Sequence, residues 1–388
     1  MRICLVYDCL FPYTVGGGER WYRGLAQRLA ADGHEVTYVT LRQWPRGERG
    51  EVPGVRVVAA GPRMALYHTA GQRRIAPPLV FGAGVLWHLL RHGHRYDVVH
   101  TASFPYFSLL AAALVRPLRG FRLVVDWFEL WSAEYWREYL GGGRGRAGQA
   151  VQALCLRVRQ QAFCFAALTA QRLRAGGLRG EVTLLRGMYA GPESPPQPVP
   201  AEPLAVFAGR HIPEKRAPAV VPAIGLARER VPGLRGRVLG DGPEHGAVLA
   251  AIDREGLAGI VEAPGFVSAE QVEQELARAL CLVLPSRREG YGMVVVEAAS
   301  VGTPSVLVRG ADNAATELVE EGVNGFIADG ASPEALADAI VRVHEAGAGL
   351  RATTADWFAR NAARLSVDAS LDAVAASYRA EPARSARS

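Results

Sequence analysis

The sequence predicts two α/β domains in tandem, each a parallel sheet doubly wound by helices. Three observations predict it. Short apolar runs alternate with helix-length segments along most of the chain. The stretch from Gly191 to Pro203, rich in proline and glycine, interrupts that alternation, which then restarts. At 388 residues the chain is too long for one typical domain, and two of roughly 190 residues are expected. The expected division is 1–190 for the first domain, 191–203 for the linker, 204–355 for the second, and 356–388 for closing helices and a polar tail. The closing helices are expected to pack back toward the first domain.

In the first half, Arg2 to Tyr7 reads as a strand, Gly16-Gly-Gly-Glu-Arg20 leads into a helix over 21–31, and Glu35 to Thr40 is the next strand. Strand, glycine turn, helix and strand within forty residues form a right-handed βαβ unit and imply a parallel sheet. The pattern continues with a strand at 55–60, a basic loop at 63–78, a helix at 79–91, a strand at 96–100, a helix at 107–115 and a strand at 122–125. Residues 126–140 are unusually aromatic, 149–174 read as one long helix with a basic face, and 182–185 is the last strand of the half. The second half predicts strands at 204–208, 236–239, 260–263, 281–284 and 305–308. Helices at 217–229, 246–256, 269–279, 293–300 and 333–345 accompany them, with one or two closing helices over 354–379. Ligands of such sheets bind beyond the C-terminal ends of the strands.

Composition narrows the function classes. Apolar residues make up 49% and charged residues 21%, a soluble globular balance. A net charge of +6 favours an anionic partner such as a nucleotide, a phosphate or an acidic membrane surface. No Lys/Arg-rich block with interleaved aromatics is present, so no nucleic-acid partner is expected. The five cysteines are odd in number and none forms C-x-x-C, which suits reduced, buried thiols in a cytoplasmic protein. No signal peptide is read at the N-terminus, and the uncharged run Ile75 to Leu90 is too short to span a membrane.

The strongest candidate site is Ser286-Arg-Arg-Glu-Gly-Tyr-Gly-Met-Val-Val-Val-Glu297. Glu289 falls at a strand's C-terminal end and Glu297 about one turn into the following helix. Gly290 and Gly292 between them allow backbone amides to approach a ligand at a helix N-terminus. Arg210 and Lys215 fall in the strand-to-helix turn that opens the second half, placed to hold a pyrophosphate and stabilise it as it leaves. Lys215 is the only lysine in an arginine-rich chain, which marks a site wanting a compact ammonium. Gly240-Asp-Gly-Pro243 and Gly265-Phe-Val267 follow two further strands and would line the same rim. Gly16-Gly-Gly18 lacks the G-x-G-x-x-G spacing and the later acid of a dinucleotide fingerprint. It reads as a close-approach loop rather than an NAD site.

The E-x7-E pair Glu289/Glu297, with Gly209-Arg210, Glu214-Lys215, Gly240-Asp-Gly-Pro243, Pro264-Gly265, Gly302-Thr-Pro304 and Asn324-Gly-Phe326, resembles the retaining nucleotide-sugar glycosyltransferases of family 4. Gly16-Gly-Gly-Glu19 and Asp97-Val-Val-His100 match in kind in the first half. The resemblance implies the GT-B fold, two Rossmann-like domains facing each other across a cleft, with the donor on the second. It implies that Glu289 contacts the donor sugar's hydroxyls and Glu297 the ribose. Gly290, Tyr291, Gly292 and Met293 would present amides to sugar or phosphate, Arg210 and Lys215 would steady the diphosphate, and Gly240 and Val267 would border the donor, Val267 near the base. Retention by a front-face route with no protein nucleophile, and no metal or other cofactor beyond the nucleotide diphosphate sugar as co-substrate, follow from the same resemblance. Gly16, Gly17 and Gly18 would face the acceptor. Many relatives carry a histidine after the fifth strand of the first domain; here Val125-Asp-Trp-Phe-Glu129 stands there, and Asp126 or Glu129 is expected either to take a polar role or to be structural. The basic loop, the aromatic stretch and the long basic helix suggest a lipid-linked acceptor with peripheral membrane contact, or else a cleft for a soluble small molecule. Other readings of the same fold are a sugar-nucleotide epimerase, a phosphorylase or a non-catalytic nucleotide-sugar-binding subunit.

Overall fold

The computed structural model describes residues 1–66, 74–192 and 199–379. His68 and Arg73 of the basic loop, residues 193–198 of the linker, and the polar tail from residue 380 lie outside them. The chain divides into two compact units. Among the described residues, those up to Met188 together with Val367 onward form unit 1, and Tyr189 to Ser366 form unit 2.

In unit 1 the elements run β1 (Arg2–Val6), α1 (Gly17–Ala31), β2 (Glu35–Thr40), β3 (Arg56–Ala59), α2 (Ala76–His92), β4 (Val98–Ala102), α3 (Phe107–Arg119), β5 (Arg122–Trp127), α4 (Ala133–Leu140), α5 (Gly142–Leu156), β6 (Gln160–Cys164), α6 (Ala167–Ala175) and β7 (Gly180–Leu184). Seven parallel strands lie in the order β3-β2-β1-β4-β5-β6-β7. β1 sits centrally, Ile3 pairing in register with Val36 on one side and Val98 on the other. Its Ile-Cys-Leu-Val run is sealed from solvent, as a strand covered on both faces requires.

Unit 2 continues with β8 (Leu204–Ala208), α7 (Val220–Ala227), β9 (Arg235–Leu239), α8 (His245–Arg254), β10 (Val261–Gly265), α9 (Ala269–Arg278), β11 (Cys281–Leu284), β12 (Arg288–Glu289), α10 (Met293–Ser300), β13 (Ser305–Val308), β14 (Asp312–Asn313), β15 (Gly325–Ala328) and α11 (Pro333–Leu365). The final helix α12 (Val367–Arg379) belongs to unit 1. The main sheet of unit 2 is six parallel strands in the order β10-β9-β8-β11-β13-β15, and β12 and β14 pair as a separate two-residue ladder. Both units are thus doubly wound α/β sheets, the fold class expected.

The structure corrects two local expectations. The long helix at 149–174 is instead α5, β6 and α6. Gln160 marks the switch: its Nε2 donates to the Cys155 and Val158 carbonyls at 2.8 and 3.0 Å, and its Oε1 accepts from Trp127 Nε1 at 2.9 Å. A side chain that satisfies the orphan carbonyls of a helix end ends the helix there. The basic face assigned to that helix therefore does not exist as one surface. The aromatic stretch points inward, with Trp127, Tyr135 and Trp136 buried. It is organised by Gln152, whose Oε1 accepts from Tyr106 Oη (2.8 Å), Trp136 Nε1 (3.1 Å) and Trp131 N (3.2 Å), and whose Nε2 donates to Trp131 O at 3.0 Å. Pro333–Leu365 is two helices that meet at a break at Gly347, where φ is 58°, so the helix expected to end at Glu345 does end beside it. All five cysteines are buried and none forms a disulfide.

Candidate functional site

In unit 2 the chain steps outward from β8 to β9 and β10, then returns to β11 and steps the other way to β13 and β15. The topological switch point therefore lies between β8 and β11, where doubly wound sheets open a crevice at their C-terminal ends. The β8 loop carries Arg210 and Lys215, and the β11 loop carries Ser286 to Tyr291.

The two loops meet at Glu289. Its Oε1 accepts from Lys215 Nζ and, at 2.9 Å, from Ser286 Oγ. Among the described residues its Oε2 has no hydrogen-bond partner. Glu289 is 9% exposed, so the pair is largely withdrawn from water and its charges are weakly screened. A backbone bond from Arg287 N to Glu214 O (2.8 Å) ties the same loops together, and Arg288 Nη2 lies 3.9 Å from Glu214. Arg210 is exposed at the mouth of the β8 loop.

Asn313 holds the β11 loop from the other side. Its Nδ2 donates to Ser286 O (3.1 Å) and Val308 O (2.9 Å), its Oδ1 accepts from Ala315 N (3.2 Å), and its backbone pairs with Glu289 through the β12–β14 ladder. Gly292 caps α10 at φ 97°, and a Cβ there would stand 2.6 Å from Ala315 Cβ. Glycine is thus required on conformational and steric grounds for the amides of Tyr291 to Met293 to open α10 at this point. Glu297 sits half-buried one turn into α10.

The Gly240 turn stacks on the β8 loop. Gly240 has φ 124°, and a Cβ there would lie 1.9 Å from Gly209 O. His211 N donates to Asp241 O and Glu244 N donates to His211 O, both at 2.9 Å. The His211 ring is buried against His245, their Nδ1 atoms 3.2 Å apart and their rings stacked. Burial first, and then His245, push the His211 imidazole down to about 4, so it is neutral near neutral pH. Glu244 is pushed up by burial and by the nearby Glu214 carboxylate. Val267 is half-buried beyond β10, beside Phe266, which is 74% exposed.

In unit 1, Gly16, Gly17 and Gly18 open α1 after β1. A Cβ on Gly18 would lie 2.5 Å from Tyr7 Oη, so the close approach is to the protein's own hydroxyl. Asp126 does not reach a surface: it is fully buried, its Oδ2 accepting from Trp21 Nε1 at 2.7 Å and its Oδ1 lying 2.9 Å from His100 Nε2 in ion-pair rather than aligned hydrogen-bond geometry. Of the two roles expected for Asp126, polar or structural, its burial with polar partners fits the structural one. Glu129 is half-buried and accepts from Trp131 Nε1 at 3.0 Å.

The structure thus brings Glu289, Lys215 and the α10 N-terminus together, with Arg210, Gly240, Val267 and Glu297 on strand ends or the helix around them. Sequence reasoning gave no individual role to Ser286, His211 or Asn313. Ser286 had a signal, a hydroxyl three residues before the acid at a strand end. Asn313 had none, because it reaches the loop only through the β12–β14 pairing.

Two family models match the chain. One, described as glycosyl transferases group 1, matches residues 202–346, and the other, a glycosyl transferase 4-like domain, matches residues 16–186. A D-inositol 3-phosphate glycosyltransferase of Streptomyces griseus is 34% identical over 154 residues, 37% of this chain and 32% of that protein. The chain thus aligns with about a third of that relative's length. A glycogen synthase of Mycobacterium tuberculosis is 28% identical over 331 residues, 79% of this chain and 77% of that one. The fold is shared with sucrose-phosphate synthase from Thermosynechococcus elongatus, with a TM-score of 0.79 at 20% identity over 97% of this chain and 98% of that one. With both halves matched by their respective models and both sheets wound as in these structures, the chain belongs to the group 1, family 4-like glycosyltransferases of the GT-B fold.

Proposed function

We propose that this protein moves a sugar from a nucleotide diphosphate sugar to an acceptor hydroxyl with retention of anomeric configuration and without a metal. The observation that carries the reading is the Lys215–Glu289 pair at the β8/β11 switch point. It sets a carboxylate suited to sugar hydroxyls beside a cation suited to a diphosphate.

The bond between the anomeric carbon and the β-phosphate oxygen breaks, and its electron pair leaves with the diphosphate. Arg210 and Lys215 answer that growing negative charge, which is the role a metal would otherwise fill. The α10 amides from Gly290 to Met293 add partial positive charge at the phosphate or sugar. Glu289 keeps Oε1 for Lys215 and Ser286 and offers Oε2 to a sugar hydroxyl. Glu297 takes the ribose hydroxyls, and Gly240 and Val267 border the nucleotide. The acceptor oxygen attacks the same face that the diphosphate leaves, and the departing phosphate oxygen takes its proton. No protein nucleophile or further cofactor enters. Unit 1 supplies the acceptor site, for a small-molecule or lipid-linked hydroxyl, and the protein works in the cytoplasm.

A labelled-donor assay over UDP-, GDP-, ADP- and TDP-sugars separates the alternatives. Transfer product is expected, with the donor's anomeric configuration in its NMR coupling. An isomerised donor would mean an epimerase, a sugar phosphate would mean a phosphorylase, and donor binding without turnover would mean a binding subunit. Glu289→Gln is expected to lower kcat about 100-fold, on the scale of losing one preorganised group at a transition state.

A further inference from the structure

The helices α2 and α3 lie side by side and parallel on unit 1. Cβ atoms built on Gly82 and Gly93 would meet Phe107 near the start of α3 and Arg119 at its end. Their inward faces join the core through Phe81, Val85 and Leu89 on α2 and Leu109, Ala112 and Val115 on α3. Their outward faces are not the polar surface such helices usually present. Leu79 and Trp87 on α2 are 47% and 61% exposed, and Leu114 and Leu118 on α3 are 67% and 71% exposed. Half-buried Leu86, Leu90 and Leu110 sit beside them. Neither helix carries a carboxylate.

From Ile75 to Phe121, the stretch that holds both helices, the sequence has four arginines, Arg91, Arg95, Arg116 and Arg119, and one acid, Asp97. That acid is bonded to Arg2, through the Arg2 backbone N–H at 2.8 Å and Nη2 at 3.2 Å. At the C-terminal end of α2 a cavity of about 370 Å³ opens between the helix and Ala59–Ala60, walled by Trp87, His88, Arg91 and His92. Arg91 lies over the Trp87 ring, 5.2 Å from its centroid. The His92 imidazole is held below its ordinary value by burial and then by the charges of Arg95, Arg91 and Arg56.

We propose that the outer face of α2 and α3 docks this protein on an anionic phospholipid bilayer, with Trp87, Leu114 and Leu118 at the acyl boundary and a lipid phosphate in the cavity beside Arg91 and His92. An exposed apolar strip with tryptophan and a rim of arginines is the composition that lies in a membrane interface and is drawn there by anionic headgroups. The arginine stems extend the apolar surface while the guanidinium groups stay with the headgroups. No helix among the described residues is long and apolar enough to cross a membrane, so the contact is interfacial. A second copy of the chain fits the face less well, because a two-fold contact would set one arginine rim against the other. The binding needs neither donor nor acceptor, so its failure and failure of the transfer reading are separable.

The test is flotation of the full chain with vesicles of phosphatidylcholine alone and of phosphatidylcholine with phosphatidylglycerol. The wild type is expected to float with the anionic vesicles and not with the neutral ones. The double variants Leu114→Ser/Leu118→Ser and Arg91→Glu/Arg95→Glu are each expected to lower the bound fraction about tenfold. These are surface positions, so thermal midpoint and nucleotide-sugar binding should hold at wild-type values, which separates lost docking from lost folding. Absence of flotation, equal flotation with neutral vesicles, or variants floating like the wild type would each overturn the proposal. So would an Arg91-dependent thermal shift with inorganic phosphate in a protein that does not float, or a dimer that Leu118→Ser dissolves while vesicle binding is unchanged.

Discussion

Glu289 is placed by three separate segments: Lys215 from the β8 loop, Ser286 from its own loop and Asn313 through the β12–β14 pairing. A carboxylate held in this way needs little reorganisation when a sugar hydroxyl arrives, and that is the advantage of a preorganised polar site. His211 ties the β8 loop to the Gly240 turn. A histidine buried neutral takes up fewer protons folded than unfolded between its folded value of about 4 and its ordinary value near 6.5. Its contribution to stability is therefore complete above about pH 6.5 and is lost as pH falls toward 4. The thermal midpoint of the wild type should fall more steeply over that window than that of His211→Gln. Equal slopes would show that another group governs the acid limb. Gly292→Val meets two obstacles, a φ of 97° and Ala315 Cβ at 2.6 Å from any added Cβ. It is expected to weaken donor binding at least tenfold, read by titration calorimetry, with a lowered thermal midpoint.

At the scale of elements, Asn313 tests whether the β11 loop is held by its neighbour. Asn313→Ala removes the donor to two buried carbonyls, Ser286 O and Val308 O. The expected cost is about 1–3 kcal/mol of stability from unfolding curves, with a raised KM for the donor. An unchanged KM would mean that the loop keeps its form without the asparagine. The elements themselves were largely readable. β8, β11, α10 and β13 begin and end where their apolar runs and flanking glycines or prolines say they should. The fully buried strands of a parallel sheet leave such runs in the sequence. β6 was not readable, because Gln160-Gln-Ala-Phe-Cys164 has neither alternation nor β-branched residues and lies between two helices. Its assignment depends on Gln160 contacting Cys155, Val158 and Trp127, and no local pattern encodes that. The meeting of Glu289 with Lys215 was legible because their loops follow β11 and β8, two strands of the same sheet. The burial of Asp126 was not, since its partners Trp21 and His100 come from α1 and β4.

At the scale of the molecule, the last helix returns to the first unit. Gly187 N donates to Ser370 Oγ at 3.1 Å, Arg28 pairs with Asp372 on α12, and Arg122 donates to the Ser377 and Tyr378 carbonyls, both at 3.0 Å. Tyr378 is buried, its hydroxyl against His100 Nδ1, which faces Asp126 with its other nitrogen. Tyr378→Phe leaves that buried ring nitrogen without its partner and should destabilise unit 1 by about 1–3 kcal/mol, visible in denaturant unfolding, while leaving donor affinity unchanged. In the proposed function, donor affinity rests on the β8/β11 switch point. The most direct measurement is calorimetric titration of the preferred nucleotide diphosphate sugar into the wild type, Lys215→Ala and Glu289→Ala, with transfer rates on the same preparations. Both variants are expected to keep the wild-type thermal midpoint within a few degrees, to bind the donor at least tenfold more weakly, and to lose most of their turnover. Wild-type affinity and turnover in both folded variants would contradict the placement of the donor at this pair.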